Sequence, residues 1–491
     1  MLSKEKADHL YHRLARELIT DIESGVYPVG EKIPSVRHMS TVRGVSISTV
    51  TQAYRWLEDQ GWLLARPQSG YYVRSCFTPG LQERTPGTLP PASRGGNPQE
   101  FTKSALINDM LGQITRPSQI NLGAAIPAAE LLPLRQLQTH INKVSRFHTA
   151  EVLDYQFSPG FTGLRRQLAA RMRDVGVRCL ADDIIITNGC AEALALVLRA
   201  TMKAGELIAV ESPCYYGLLQ VAGLLGIKII EIPTDPQHGM SPEALQLALQ
   251  QWPVKMVAIN SRYSNPTGAV LSESRQKKLL QLAQEYNIGI IEDDVYGELG
   301  HSAASGSETF NTVLKTFDRD GRVLYCSSFS KTLSAGLRVG WCIPGRWFQQ
   351  VCEQQMFTTF SAPSISQYAV SSYLQNGQYD RHLRQIRPKV AEYMRRMLDA
   401  IHHYFPAGTR VTEPHGGFVL WVALPQQVDA TQLYHEASQR SVTIVPGGLF
   451  SNSHHFDHCI RLNSSLPWNT DLDHALQTLA QLTDRQLQAQ G

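Results

Sequence analysis

Ser327-Ser328-Phe329-Ser330-Lys331-Thr332-Leu333-Ser334-Ala335-Gly336-Leu337-Arg338-Val339-Gly340-Trp341 follows the short apolar run Val323-Leu324-Tyr325-Cys326. That run reads as a buried strand, so one lysine sits just past a strand end among serines and an arginine. An amine there is placed to condense with an aldehyde, and hydroxyls with a guanidinium are placed to hold a phosphate. These are the needs of pyridoxal 5'-phosphate. Ser328-x-x-Lys331 also has the form of the serine nucleophile motif of penicillin-binding proteins, but the Ser-Asp-Asn and Lys-Thr-Gly partners of that motif are absent. Lys331 is therefore read as the amine, with Ser328, Ser330 and Arg338 as the phosphate side.

The partners of Lys331 lie upstream. Pyridoxal phosphate needs an acid beside its ring nitrogen, and Ile288-Gly289-Ile290-Ile291-Glu292-Asp293-Asp294-Val295-Tyr296 offers an apolar strand ending in carboxylates, with Tyr296 close behind Asp293. The strand Met256-Val257-Ala258-Ile259 leads into Asn260-Ser261-Arg262-Tyr263-Ser264-Asn265-Pro266-Thr267-Gly268, where an amide could bond the ring hydroxyl. Asn-Pro-Thr-Gly, then Asp-x-x-Tyr, then Ser-x-x-Lys and a following arginine, in this order and spacing, resemble the fold-type I aminotransferases. The resemblance assigns Asn265, Asp293, Tyr296, Lys331 and Arg338 to the cofactor.

At 491 residues the chain exceeds one ordinary domain. With 43% hydrophobic and 18% charged residues it can bury a large core. A net charge of +3 neither favours nor excludes nucleic acid. The 8 cysteines form no Cys-x-x-Cys pair, so neither a zinc site nor a disulfide framework is indicated. The first residues lack a signal-peptide core, and no run approaches the about 18 apolar residues of a membrane span. A cytoplasmic protein without membrane attachment is expected.

Residues 1–75 read as a separate domain. Leu10, Leu14, Leu18 and Ile22 recur at helical spacing, with Gly25 and Pro28 as the stop. Ser35 caps a second helix that turns Val36, Met39 and Val42 inward. After Gly44-Val45-Ser46, a third helix runs from about Ile47 to Gln60 with Val50, Ala53, Tyr54 and Leu57 on one face and Gly61 as its stop. Trp62–Arg66 and Tyr71–Val73 form a hairpin around Pro67-Gln68-Ser69-Gly70. Two helices joined by a glycine-bearing turn have helix-turn-helix geometry. Ser46, Ser48, Thr49 and Thr51 lie where a recognition helix meets base edges. Arg37, Arg66, Ser69 and Gly70 are placed for phosphates. The stretch resembles the winged helix-turn-helix of GntR-type regulators, through Pro34-Ser35-x-Arg37, Gly44-Val45-Ser46-x-Ser48-Thr49-Val50 and Ala53-Tyr54-x-x-Leu57-x-x-x-Gly61. It departs from that family at Ile47, where arginine is frequent, and at Gln68, where glycine is usual.

Residues 76–103, rich in proline and glycine, read as a flexible linker. Helix–strand alternation follows. It is divided into a large domain over 104–370 and a smaller C-terminal one over 371–491. Ile184-Ile185-Ile186-Thr187-Asn188-Gly189-Cys190-Ala191 is a strand, a glycine turn and a helix start, where the N–H groups of Gly189, Cys190 and Ala191 favour a phosphate. The aminotransferase resemblance adds Tyr215 on the pyridine ring, with Tyr216 as rival. It adds Tyr155, which would reach into a neighbouring subunit and so implies a homodimer. It also adds Arg461 as the group that holds a carboxylate, a pairing suited to guanidinium. His454, His455 and His458 sit in a polar loop and are assigned no metal.

A winged helix-turn-helix, a linker and an aminotransferase-like domain on one chain resemble the MocR subfamily of GntR-type regulators. The fold class implied is α/β: an N-terminal winged helix-turn-helix plus a pyridoxal-phosphate-dependent fold-type I domain, with a large mixed-sheet part and a smaller C-terminal α/β part. The function implied is regulation of transcription on double-stranded operator DNA, sensing pyridoxal phosphate or a small amino compound that reacts with it. Two other readings stand beside it: a working aminotransferase carrying a DNA-binding domain, and an inactive enzyme fold used for dimerisation.

Overall fold

The computed structural model describes residues 10–23, 26–27, 31–59, 62–66, 69–73, 97–101, 103–114, 119–301 and 312–490. The chain divides into two compact units, Met1–Pro86 and Gly87–Gly491. Among the described residues no helix is long and apolar enough to cross a membrane.

The first unit has helices Leu10–Glu23, Val36–Arg43 and Ile47–Asp59 and an antiparallel hairpin of Leu63–Arg66 with Gly70–Val73. Ser35 accepts the N–H of His38 at the start of the second helix, and Gly44 ends it at φ 64°, a left-handed conformation suited to glycine. Leu14, Leu18, Ile22, Met39, Val50, Ala53, Tyr54 and Leu57 close the core, and the Tyr54 hydroxyl donates to the Pro34 carbonyl at 2.8 Å. Two expected core positions differ. Val42 is 61% exposed; each step of three along a helix falls about 60° behind a full turn, so the second step from Val36 leaves the buried face. Leu10, the helix's first residue, is 55% exposed. The expected stops Gly25, Pro28 and Gly61, with Gln60, Pro67 and Gln68, lie outside the described residues.

The second unit is built on an eight-stranded mixed sheet. Its order is Ile185–Thr187, Gly340–Ile343, Val323–Ser328, Gly289–Asp293, Val254–Ile259, Leu207–Ser212, Lys228–Asp235 and Gly239–Met240. Gly340–Ile343 and Gly239–Met240 run against their neighbours; the rest are mutually parallel. The central strands Leu207–Ser212 and Val323–Ser328 are buried along their length, and Val254–Ile259 is buried except at Lys255, as apolar runs in a covered parallel sheet are. Gly340–Ile343 was not expected. Four residues beside a glycine-rich turn carry too little pattern, and the strand exists because Ile185–Thr187 and Val323–Ser328 flank it.

A four-stranded antiparallel sheet joins Arg410–Val411, Val419–Ala423, Cys459–Asn463 and Val445–Pro446. Chain order and packing part company at the start of this unit. Ile120–Asn121, expected in the large domain, pairs with Val442–Thr443 of the C-terminal segment, and Asp109 accepts from the Tyr434 hydroxyl at 2.8 Å. The end of the stretch read as linker is docked: Gln99 bridges Ile229, Phe101 is buried, and Lys103 donates to the carbonyls of Gly448 and Ser451 at 2.5 and 2.7 Å. An aromatic ring and a bonded ammonium hold residues 97–101 and 103 despite their breaker-rich surroundings. Residues 76–96 and 102 of that stretch lie outside the described residues.

Candidate functional site

The parallel strands of the large sheet end on one edge, where ligands of open α/β sheets bind. Gly189–Ala191, Tyr215, Asn260–Asn265, Asp293 and Ser328–Lys331 all lie at or just after the carboxyl ends of those strands. The Ser328 hydroxyl accepts the Ser330 N–H, making the tight turn that presents Lys331. The Lys331 amine donates to the Ala125 carbonyl at 2.6 Å and lies 6.0 Å from the Tyr296 ring centre. Its pKa is pushed down to about 8, first by burial, then by the Arg461 and Arg338 cations, against the opposing pull of Asp293. The side chain nevertheless keeps some accessible surface, as a group that must meet a ligand requires.

Arg338 adopts φ 50°, a left-handed conformation that costs a non-glycine residue energy. Its guanidinium donates to the Asn188 carbonyl at 2.7 Å and to the Ser330 hydroxyl at 3.5 Å. Gly189, at φ 79°, opens the helix Cys190–Thr201, and a Cβ on it would come within 2.5 Å of the Arg338 guanidinium. Cation, hydroxyl and the unbonded first-turn N–H groups of the helix thus face one corner. Asp293 accepts from the Cys190 thiol at 3.4 Å, and burial pushes its carboxyl up to about 6.

Arg461 is 1% exposed. It donates to the Asn265 side-chain oxygen at 3.1 Å and to the Gly123 carbonyl, and its Nε is buried with no partner. The rings of Tyr216 and Phe450 lie 5.8 and 5.3 Å from its guanidinium carbon. Tyr215 packs beside Tyr216, ring centres 5.2 Å apart, and burial raises its pKa. Tyr155 stands apart from this group: it is 72% exposed and stacks on Phe157 at 5.6 Å, with Phe360 at 6.0 Å.

Several residues that shape the site were not singled out in sequence. Asn260 donates its amide to the Asp293 carbonyl at 2.8 Å, and its own N–H to the buried Glu211 at 2.9 Å. Tyr379 and His382 of the helix Gln378–Tyr404 bond the hydroxyl and carbonyl of Thr332, each at 2.8 Å, fixing the residue after Lys331. Asn260 had a usable signal, an amide at a strand end. Tyr379 and His382 had none, since only the return of a distant helix brings them in. His454 of the histidine-rich loop faces Asp457 at 2.7 Å; among the described residues no three metal-ligating side chains converge.

The residues present fit pyridoxal phosphate. Three basic groups, Lys331, Arg338 and Arg461, stand around Asp293, and Arg461 leaves a buried donor unmet. That set suits a dianion and a second acid group.

In the first unit Arg37, Ser46 and Ser48 are exposed, Thr49 and Thr51 partly so. The Ser46 hydroxyl accepts the Thr49 N–H at 3.1 Å and contacts the hydroxyls of Ser48 and Thr49 at 2.7 and 2.8 Å. Thr51 donates to the Ile47 carbonyl at 2.8 Å. In the hairpin, Ser69 bonds the Tyr72 hydroxyl at 2.6 Å and Gly70 takes φ 114°. Arg66 lies opposite Gly70, its side chain outside the described residues.

Residues 10–73 match the family of bacterial regulatory proteins, gntR family, and residues 117–479 match aminotransferase class I and II. The HTH-type transcriptional regulator YjiR of Escherichia coli (strain K12) is 38% identical over 97% of this chain and 99% of its own length. A second regulator of that organism, YdcR, is 35% identical over 97% and 99%. Among solved structures, Pyrococcus horikoshii kynurenine aminotransferase, in complex with PMP, is 29% identical with a TM-score of 0.71, covering 79% of this chain and 97% of its own.

Proposed function

The chain belongs to the GntR family of bacterial regulators and carries a class I and II aminotransferase domain, the MocR-type architecture, and from that premise we propose that it controls transcription by sensing pyridoxal phosphate, or an amino compound that reacts with it, at Lys331. The observation that carries the reading is the Lys331 amine, its pKa lowered to about 8, held among Arg338, Arg461 and Asp293 at the strand ends. When bound, the cofactor supplies an aldehyde and an electron-accepting ring. The chain does the rest. Lys331, its pKa lowered to about 8, presents a larger share of neutral amine near physiological pH than an ordinary lysine does. Arg338, Ser328, Ser330 and the backbone of Gly189, Cys190 and Ala191 would hold the phosphate. Asp293, steadied by Asn260, would keep a proton at the ring nitrogen, and Asn265 and Tyr296 would bond the ring hydroxyl. Tyr215 would stack on the ring. Arg461 holds the carboxylate of an incoming amino acid through paired hydrogen bonds.

Lys103 offers a route from this site towards the DNA-binding unit. Its ammonium grips the carbonyls on either side of Leu449-Phe450, and the Phe450 ring lies against Arg461 and Tyr216. A ligand that moves Arg461 displaces Phe450 and thereby the anchor of the segment leading back to residue 96. The exposed cluster Tyr155, Phe157 and Phe360 supports a homodimer in which Tyr155 meets the partner's site. The residue set also suits transamination, so the test follows three signals while amino compounds are titrated: visible absorbance, operator affinity and keto-acid production. Sensing predicts an absorbance change with a change in DNA affinity and slow turnover. Fast turnover, near the roughly 10 per second of a median enzyme, with unaltered DNA affinity would make this an enzyme instead.

A further inference from the structure

Ile47 is the first residue of the third helix of the winged unit and is 53% exposed. A lone exposed isoleucine is ordinary on most surfaces; its place and its neighbours distinguish this one. The N-terminal residues of a recognition helix are those that meet base edges. The hydroxyls around Ile47 are largely engaged within the protein. Ser46 caps the helix and shares hydrogen bonds with Ser48 and Thr49, which uses two of their three hydroxyl hydrogens, and Thr51 spends its own on the Ile47 carbonyl. Those intramolecular bonds compete with base readout by polar contacts. The branched side chain of Ile47 has no such competition, and the helix start that the hydroxyls brace holds it in a fixed direction.

We propose that Ile47 determines operator specificity by packing against the 5-methyl group of a thymine in the major groove. Among the four bases only thymine presents a methyl there, so an apolar side chain at a base-reading position selects it. This rests on the DNA-binding reading of the winged unit and deepens it: each half-site carries one thymine recognised by its methyl group.

The experiment uses the full chain and an operator selected from random duplexes. Each thymine is replaced singly by uracil, which removes only the methyl group, and affinity is measured at fixed salt. At one thymine of each half-site, uracil should weaken binding about fourfold, the worth of one buried methyl. At that position 5-methylcytosine should bind better than cytosine by a similar factor. Ile47→Ala, a change at an exposed helical position, should bring both ratios to about one while the remaining sequence preference stays. Wild-type indifference to uracil at every thymine would overturn the proposal, as would full discrimination retained by Ile47→Ala. A chain that selects no sequence overturns the regulator reading and this inference with it, a result distinct from sequence-specific binding that ignores the methyl group.

Discussion

The two units place most of their proposed functional residues in opposite environments. In the winged unit Arg37, Ser46, Ile47 and Ser48 lie on the surface, with hydroxyls bonded to one another and to the helix start. In the aminotransferase-like unit Asn265, Tyr296, Ser328, Ser330 and Arg461 are each under a tenth exposed, and Arg461 still has an unmet donor. A surface reader contributes little until its partner arrives, and screening by salt keeps each contact small. A buried site carries its cost in the protein alone, so its unmet donors and displaced pKa values are themselves signs of a ligand.

The sharpest way to break the comparison is Lys331→Ala. It should abolish the visible absorbance and the borohydride-stable attachment of pyridoxyl phosphate entirely; a protein still labelled would place the reactive amine elsewhere. In wild type, labelling should rise as pH passes through about 8, because the lowered pKa frees the neutral amine well before the usual lysine range near 10.5. A rise only near the ordinary value would mean the site does not tune its lysine.

Next in size is Arg338→Met. A hydrogen bond to a charged group is worth about 1.5–3 kcal/mol, so cofactor affinity should fall about 10- to 150-fold by spectral titration, with the fold intact by circular dichroism. An unchanged affinity would remove Arg338 from the phosphate corner. Lys103→Met tests the connection between site and linker. Coupling between two sites is commonly about 1–3 kcal/mol. The variant should bind cofactor and amino ligand as wild type does, yet lose most of the ligand's effect on DNA affinity. Full coupling in the variant would exclude this route.

The smallest effect belongs to the surface. Arg37→Ala should weaken binding to all duplexes alike and reduce the slope of log affinity against log salt by about one. A change in sequence preference instead would make Arg37 a base reader.

Local features were legible because they are made by neighbours in the chain. The Ser35 cap, the turn at Gly44 and the apolar face of Ile47–Asp59 follow from spacing within a turn or two. Val42 escaped because a spacing of three drifts off a helical face, an effect that grows with each repeat. In the large unit the strand-end residues were legible for a related reason. A parallel sheet sends every strand's carboxyl end to one edge, so Asn265, Asp293 and Lys331 could be grouped from their positions after apolar runs.

By itself, then, the sequence determined the two kinds of unit, the order of the strand-end motifs and the residue types present at the site. Tertiary structure decided who holds whom. Arg461 meets Asn265 across 196 residues and Gly123 across 338, Lys103 meets Ser451 across 348, and Ile120–Asn121 joins a strand from the far end of the chain. Helical period, caps and turns act over a few residues and leave their mark in spacing. Contacts between such distant residues arise only when sheets and helices pack, and a linear pattern records no trace of which partner packing selects.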